Sequence, residues 1–337
     1  MRDLADHVDA LEAQLVRSLA RLGTPAELET LEVTPEECER PKAGSRPACV
    51  VKDARGRRYF FKSAPVDLVA AEIFAASVRR LGGRAFVATA ARQLDLPDLG
   101  VVSGMLQPMV EHPGERLPTD PVAWTDVQRE VMLREHPWEW LLANLDTHVD
   151  QYVLLGPERA PFNIDWDHSL LDLNVEELTR LTSRSPAIPP LRNTLYGAYV
   201  RGDVDLHLIG MLAQVRAISR LDDRRLGRML RAWSAQCGHD PERARAAETA
   251  FFRRKEAIGH TFRRFVQDLR AERAAERDPT RARAPLPERA RTAVIGAWQR
   301  LVIDVLHDRA VVPWLKVYRS VLARREARMG RSPTSDS

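Results

Sequence analysis

The stretch WEWLLANLDTHVDQYVLLGPERAPFNIDWDHSLLD, from Trp138 to Asp172, is compatible with few folds. It opens as a helix-like apolar run (Trp138, Trp140, Leu141, Leu142) and breaks into the polar segment Asn144-Leu145-Asp146-Thr147-His148-Val149-Asp150-Gln151. An apolar strand (Tyr152 to Leu155), a turn around Gly156-Pro157 and a second strand ending in Phe162-Asn163-Ile164-Asp165-Trp166-Asp167 follow. Antiparallel pairing of the two strands would gather Asp146, Gln151, Asp165 and Asp167. Phosphoryl transfer from ATP needs such a set: one carboxylate to orient the attacking hydroxyl, and oxygen ligands to hold Mg²⁺ on the phosphates. An ordinary helix–strand–strand unit with a solvated acidic loop would share the pattern.

The rest of the chain bounds the setting. A length of 337 residues allows one large domain or two lobes, and 44% apolar content supplies a core. Basic and acidic residues nearly balance, 51 against 47, and the arginines are dispersed among Asp and Glu, which reads as a solvated face rather than a nucleic-acid footprint. No apolar run is long enough to span a membrane, and the acidic start MRDLADHVDALE is unlike a signal peptide. Cys38, Cys49 and Cys237 are scattered, so neither a disulfide framework nor a metal site is expected, and a reducing cytoplasm is the simplest home.

Leu4, Val8, Leu11, Leu15, Leu19 and Leu22 fall at three- and four-residue steps, which predicts an amphipathic helix over residues 1–30 for packing or for a homodimer. Residues 28–41 are less regular, punctuated by Pro35 and Pro41. Strands follow: Ala48 to Val51, a turn at Asp53-Ala54-Arg55-Gly56, and the return strand Arg58-Tyr59-Phe60-Phe61-Lys62. Lys62 is placed either to reach phosphates or, as strand-end lysines commonly do, to reach water. A helix carrying Glu72, with a face of Ile73, Phe74, Val78 and Leu81, ends at Gly82-Gly83. Residues 84–95 and Val101 to Glu111 read as further strands, broken at His112-Pro113-Gly114, where a hinge between lobes would lie. Helices are expected at about 122–135 and 137–144, then around Val175 to Leu178, in two patterns across 204–236, from Asp240-Pro241 to about 277, and as a pair spanning Val294 to Val321. Between them lie the proline-rich SRSPAIPP and the charged linker RAERAAERDPTRARAPLPER, and the tail from Met329 is expected to be disordered.

Gly44-Ser45-Arg46-Pro47, Tyr59 to Lys62, Glu72, Asn144 to Gln151 and Ile164 to Asp167 occur in an order and spacing that resemble the HipA-like kinases. More distantly they resemble the phosphatidylinositol 3/4-kinase-like branch of the protein-kinase fold, and the likeness covers residues 42–172, extending to about 235. It implies an α+β, two-lobed protein-kinase-like fold: an antiparallel-sheet N-lobe (31–111), a mostly helical C-lobe (112–240) and a C-terminal helical extension (241–330). It further implies ATP and Mg²⁺, with Mn²⁺ as the alternative metal. Asp146 would orient or deprotonate the acceptor hydroxyl. Lys62 would contact the phosphates, braced by a pair with Glu72, and the amides around Gly44 and Ser45 would cover them. Asp165 would hold the metal, with Gln151 and Asp167, while His148 would tie the loop.

Two departures matter. The family's metal-binding Asn is Gln151 here, whose arm is longer by about 1.5 Å, and Mg²⁺ tolerates little distortion; Asp150 or Asp167 would have to compensate. Residues 1–40 are also too short for the additional N-terminal subdomain of the HipA toxins. A catalytically silent nucleotide-binding scaffold and an adenylylating enzyme therefore stand beside the kinase reading. The acceptor, protein hydroxyl or small molecule, leaves no mark in the sequence.

Overall fold

Alternation of apolar and polar residues, cut by turn signals, gives one five-stranded antiparallel sheet. The computed structural model describes residues 2–39, 46–96, 100–112, 114–144, 146–170, 173 and 190–277. Gly44 and Ser45, the expected helix at 175–178, most of SRSPAIPP, the helix pair of 294–321 and the tail lie outside them. The strands are β1 (Val33–Glu39), β2 (Ala48–Asp53), β3 (Arg58–Ser63), β4 (Ala90–Leu96) and β5 (Gly100–Pro108), arranged β1-β2-β3-β5-β4. Gly56, at φ 76°, makes the β2–β3 turn, and Asp53 holds it by accepting from the Arg55 and Arg57 amides at 2.9 Å each.

The sheet has two dressed faces. Tyr59 and Phe61 of β3 join Cys49, Val51, Leu106 and Leu28, the last from the short helix α2 (Pro25–Thr30). The opposite face meets α3 (Val66–Leu81), with Met105 packed among Leu68 and Val69. Lys62, opposite Met105 in the register, belongs to that second face. Gly104 permits this pairing, since a Cβ there would run into the Lys62 carbonyl.

Helices make the other lobe: α4 (Asp126–Leu142), α5 (Pro190–Arg201), α6 (Leu208–Ser219), α7 (Asp223–Gln236) and the 36-residue α8 (Pro241–Glu276). The α8 residues Phe251, Ile258, Phe262, Phe265 and Leu269 lie in the same core as Trp138 and Trp140 of α4. Residues 241–276 thus complete this lobe, and the helix runs through the first part of the expected charged linker. A two-stranded hairpin, β6 (Tyr152–Leu155) with β7 (Ala160–Asn163), stands against α4. The architecture is α+β, as expected. Among the described residues, no helix is long and apolar enough to cross a membrane.

Three expectations need correction. The two helices predicted around Pro137 are one, because His136 is buried among Tyr196, Phe262 and Phe265, and that packing outweighs the roughly 3 kcal/mol of an interior proline. The irregular segment 28–41 contains β1, an edge strand that accommodates Pro35 with a register shift between Pro35 and Glu37. Cys38 and Cys49 are register partners across β1 and β2 and form a disulfide, leaving Cys237 as the free thiol. The stripe of α1 (Arg2–Ala20), expected for packing or for a homodimer, packs in part against its own chain. Leu15, Val16 and Leu19 pack with Ala85 and Val87 of the sheet lobe and with Val153, Leu155 and Phe162 of the hairpin. Glu12 pairs with Arg84, and Asp9 with Arg134 of α4.

Candidate active site

Four local devices bring the acidic residues to the sheet. Helix α4 ends at Ala143 in the left-handed region (φ 52°), which turns the chain into the loop carrying Asp146. The hairpin then returns the chain, and Ile164 donates to the Gln151 carbonyl at 3.0 Å. Beyond β7, the Asn163 side chain accepts from the Asp165 amide at 2.9 Å, a local turn that projects Asp165. Leu170, at φ 64°, ties the segment back to α4 by donating to the Leu142 carbonyl at 2.7 Å.

Here the two lobes meet. Lys62 Nζ lies 2.8 Å from Asp165 Oδ2 and 3.0 Å from Asp167 Oδ2, although 103 residues separate Lys62 from Asp165. Arg46 Nη1 also reaches Asp167 Oδ2, at 3.0 Å. His168 Nε2 sits between the two acidic positions, 3.6 Å from Asp146 Oδ2 and 3.6 Å from Asp167 Oδ1. Asp167 is 1% exposed, whereas the Asp146 side chain is 40% exposed.

Burial and charge set the protonation states. Burial works against the Lys62 ammonium, but Asp165 and Asp167 outweigh it and hold its pKa above the ordinary lysine value. Burial likewise works against the Asp167 carboxylate, and Lys62, His168 and Arg46 overcome it, holding it low. For Glu72 the balance runs the other way. Burial, then repulsion from Asp165 and Asp167, pushes its pKa up to about 8, and the Trp166 amide and Lys62 lower it without overcoming those effects.

The Lys62–Glu72 pair is absent, and this corrects the expected brace. Glu72 Oε2 accepts from the Trp166 amide at 2.6 Å and Oε1 from Gln107 Nε2 at 3.2 Å. It therefore steadies the backbone between Asp165 and Asp167, and the lysine takes those two carboxylates directly. Gln151 is also turned from the expected use: its side chain is buried and its Oε1 accepts from the His148 amide at 3.4 Å. Asp150 points away to Arg116, at 2.7 Å. The His148 ring, half exposed, lies 3.8 Å from Asp150.

Sequence reasoning missed Arg46 and His168 as site residues. Arg46 stood inside the quoted glycine-containing motif, and His168 directly follows Asp167, but neither position announces which carboxylate it meets. Trp166 has a supporting place as well, with the Arg79 guanidinium 4.4 Å above its ring.

Do these residues suit a metal ion? Among the described residues, no cluster of three or more His, Cys, Asp or Glu side chains could hold one alone. Two hard carboxylates do converge, and Asp167 Oδ1 is buried without a hydrogen-bond partner. Mg²⁺ is commonly held by one or two carboxylates together with substrate phosphates and water. The donor set fits that mode.

Comparison with known proteins finds solved structures of kinases and phosphotransferases. The first is the Helicobacter pylori proinflammatory kinase CtkA, with 11% identity, a TM-score of 0.43, and 71% of this chain and 98% of that one covered. The Shewanella oneidensis HipA–HipB–operator DNA complex gives 11% identity and a TM-score of 0.32, over 64% of this chain and 60% of that one. An aminoglycoside phosphotransferase from Alicyclobacillus acidocaldarius gives 12% identity and a TM-score of 0.30, over 72% and 94%. No family model and no curated protein sequence matches the chain. With every one of these TM-scores below 0.5, the functional reading rests on the geometry of the cleft.

Proposed function

We propose that this chain is an ATP-dependent phosphotransferase of the HipA-like, protein-kinase-like type, acting on a hydroxyl acceptor. One observation carries the reading. A lysine on the sheet lobe meets two carboxylates from beyond the hairpin, and a third carboxylate stands one histidine away. One triphosphate could bridge such a set.

In this reading Lys62 would bind a phosphate oxygen of ATP, and Asp165 and Asp167 would hold Mg²⁺. The metal supplies charge neutralisation at the phosphoryl oxygens. Asp146 orients the acceptor hydroxyl and takes its proton as the new oxygen–phosphorus bond forms and the bond to the departing ADP oxygen breaks. Glu72 fixes the Trp166 amide and so the spacing of the two metal-holding carboxylates. Gly44 and Ser45 remain the proposed cover for the phosphates.

A nucleotide-binding scaffold without catalysis is the second reading, and the engagement of Gln151 and Asp150 elsewhere favours it. Incubation with γ-labelled ATP and Mg²⁺ or Mn²⁺, with mass spectrometry of the protein and of candidate acceptors, separates the two. Asp146→Asn should keep Mg·ATP binding while transfer falls by about 10²–10⁴. Asp165→Asn should lose both. A wild-type protein that binds Mg·ATP and transfers nothing with either metal is the scaffold. The reducing compartment expected from the sequence stands against the Cys38–Cys49 disulfide, and the thiol state of protein quenched in cells decides it.

A further inference from the structure

Two cations converge on one oxygen in the cleft. Asp167 Oδ2 lies 3.0 Å from Lys62 Nζ and 3.0 Å from Arg46 Nη1, while Oδ1 of the same buried carboxylate has no hydrogen-bond partner. We propose that Arg46 is an exchangeable cation. In the nucleotide-free protein it occupies the cation position on Asp167, and on loading it gives way to the metal ion and moves onto the triphosphate. The inference rests on the phosphotransferase reading and deepens it by naming a further phosphate ligand and a regulator of metal entry.

The geometry decides which cation leaves. Mg²⁺ sits about 2.0–2.1 Å from its oxygen ligands. A guanidinium at 3.0 Å on that oxygen both repels the metal and occupies its approach. Lys62 is fixed within the sheet by β2 and β5 and keeps Asp165 as a second partner. Arg46 lies before β2, its side chain is 32% exposed, and Asp167 is the one acceptor it contacts among the described residues.

The destination follows from the anchor. Pro47 accepts from the Ser63 amide at 2.9 Å, so the backbone next to Arg46 is pinned beside Lys62, the residue proposed for the phosphates. From there a planar fork of donors suits a phosphate better than it suits one shared carboxylate oxygen. Nucleotide would thus draw the guanidinium off Asp167 and raise metal affinity, and by linkage metal would raise nucleotide affinity.

The test uses the full chain and its Arg46→Ala and Arg46→Lys variants, with folding confirmed by circular dichroism. Binding of Mn²⁺ alone is read from the electron paramagnetic resonance signal of the free ion, and Mg·ATP binding by calorimetry. Removing a partly exposed competitor should tighten Mn²⁺ binding by up to about fivefold. Losing a charge-assisted phosphate contact should weaken Mg·ATP binding by roughly ten- to a hundredfold. Arg46→Lys, which keeps the charge without the fork, should bind Mn²⁺ as wild type does and Mg·ATP with intermediate strength. The opposite signs in Arg46→Ala are the signature, because a structural role would weaken both. Mn²⁺ binding that is unchanged or weaker in that variant, or Mg·ATP binding that is not weaker, overturns the exchange. If the wild type binds no Mg·ATP, the phosphotransferase reading fails instead, and the Mn²⁺ measurement by itself decides whether Arg46 competes with metal.

Discussion

Replacing Glu72 by glutamine should change how stability depends on pH more than it changes stability itself. The Glu72 carboxyl is 3% exposed and accepts two hydrogen bonds, yet burial and the nearby Asp165 and Asp167 push its pKa from 4.5 to about 8. The unfolded chain releases this proton near 4.5 and the native protein holds it until about 8. Between those values the native state binds more protons, so the contribution is complete below 4.5 and disappears as pH rises through about 8. At about 1.4 kcal/mol per pH unit, the whole passage removes about 5 kcal/mol, of which about 3 kcal/mol falls between about pH 6 and pH 9. Glu72→Gln is uncharged throughout and keeps an oxygen for the Trp166 amide. Urea unfolding of both proteins across that range, without nucleotide or metal, supplies the assay. The variant should gain on the wild type steadily as pH rises, and the other titrating groups cancel in the difference. Parallel stability curves would refute the argument, since Glu72 would then be ionised in the native state.

Two further outcomes follow from other charged contacts. Lys62→Ala should abolish the thermal shift with Mg·ATP, worth roughly 2.7 kcal/mol at 100 times the dissociation constant, while Lys52→Ala, on the exposed pair with Glu36, should retain it; equal ligand-induced shifts would remove Lys62 from the site. Arg192→Met should destabilise by about 3–5 kcal/mol in urea titrations, because it strands Glu139, whose fully buried carboxylate takes bonds of 2.6 and 2.9 Å from that guanidinium. Adding Glu139→Gln should recover part of that loss, and a single variant as stable as wild type would show that the pair is dispensable.

Much of the architecture was legible because it depends on local periodicity. The α1 stripe, the turn at Gly56 and the Asp240-Pro241 start of α8 each signal themselves within a few residues. Strand β1 was hidden because an edge strand tolerates Pro35 and alternating glutamates that no central strand would. Pro137 misled for the opposite reason: its local penalty is real, and only contacts from α5 and α8 reverse it. The site residues were legible as types in order, and their partners were not. Whether Lys62 meets Glu72 or Asp165 is settled by how α3 and the hairpin lie against the sheet, which no spacing encodes. Cys38 and Cys49 became neighbours through the register of a strand that was not foreseen.

Helix α3 binds the two lobes into one body. Its Ala70, Phe74 and Val78 lie in the core that also holds Trp138 of α4 and Phe251 of α8, and its Arg79 makes a buried ion pair with Glu135 of α4. Helix α1 adds pairs from Glu12 to Arg84 and from Asp9 to Arg134. Parting the lobes would therefore expose those apolar side chains to water, a cost that keeps Lys62 and Asp165 face to face.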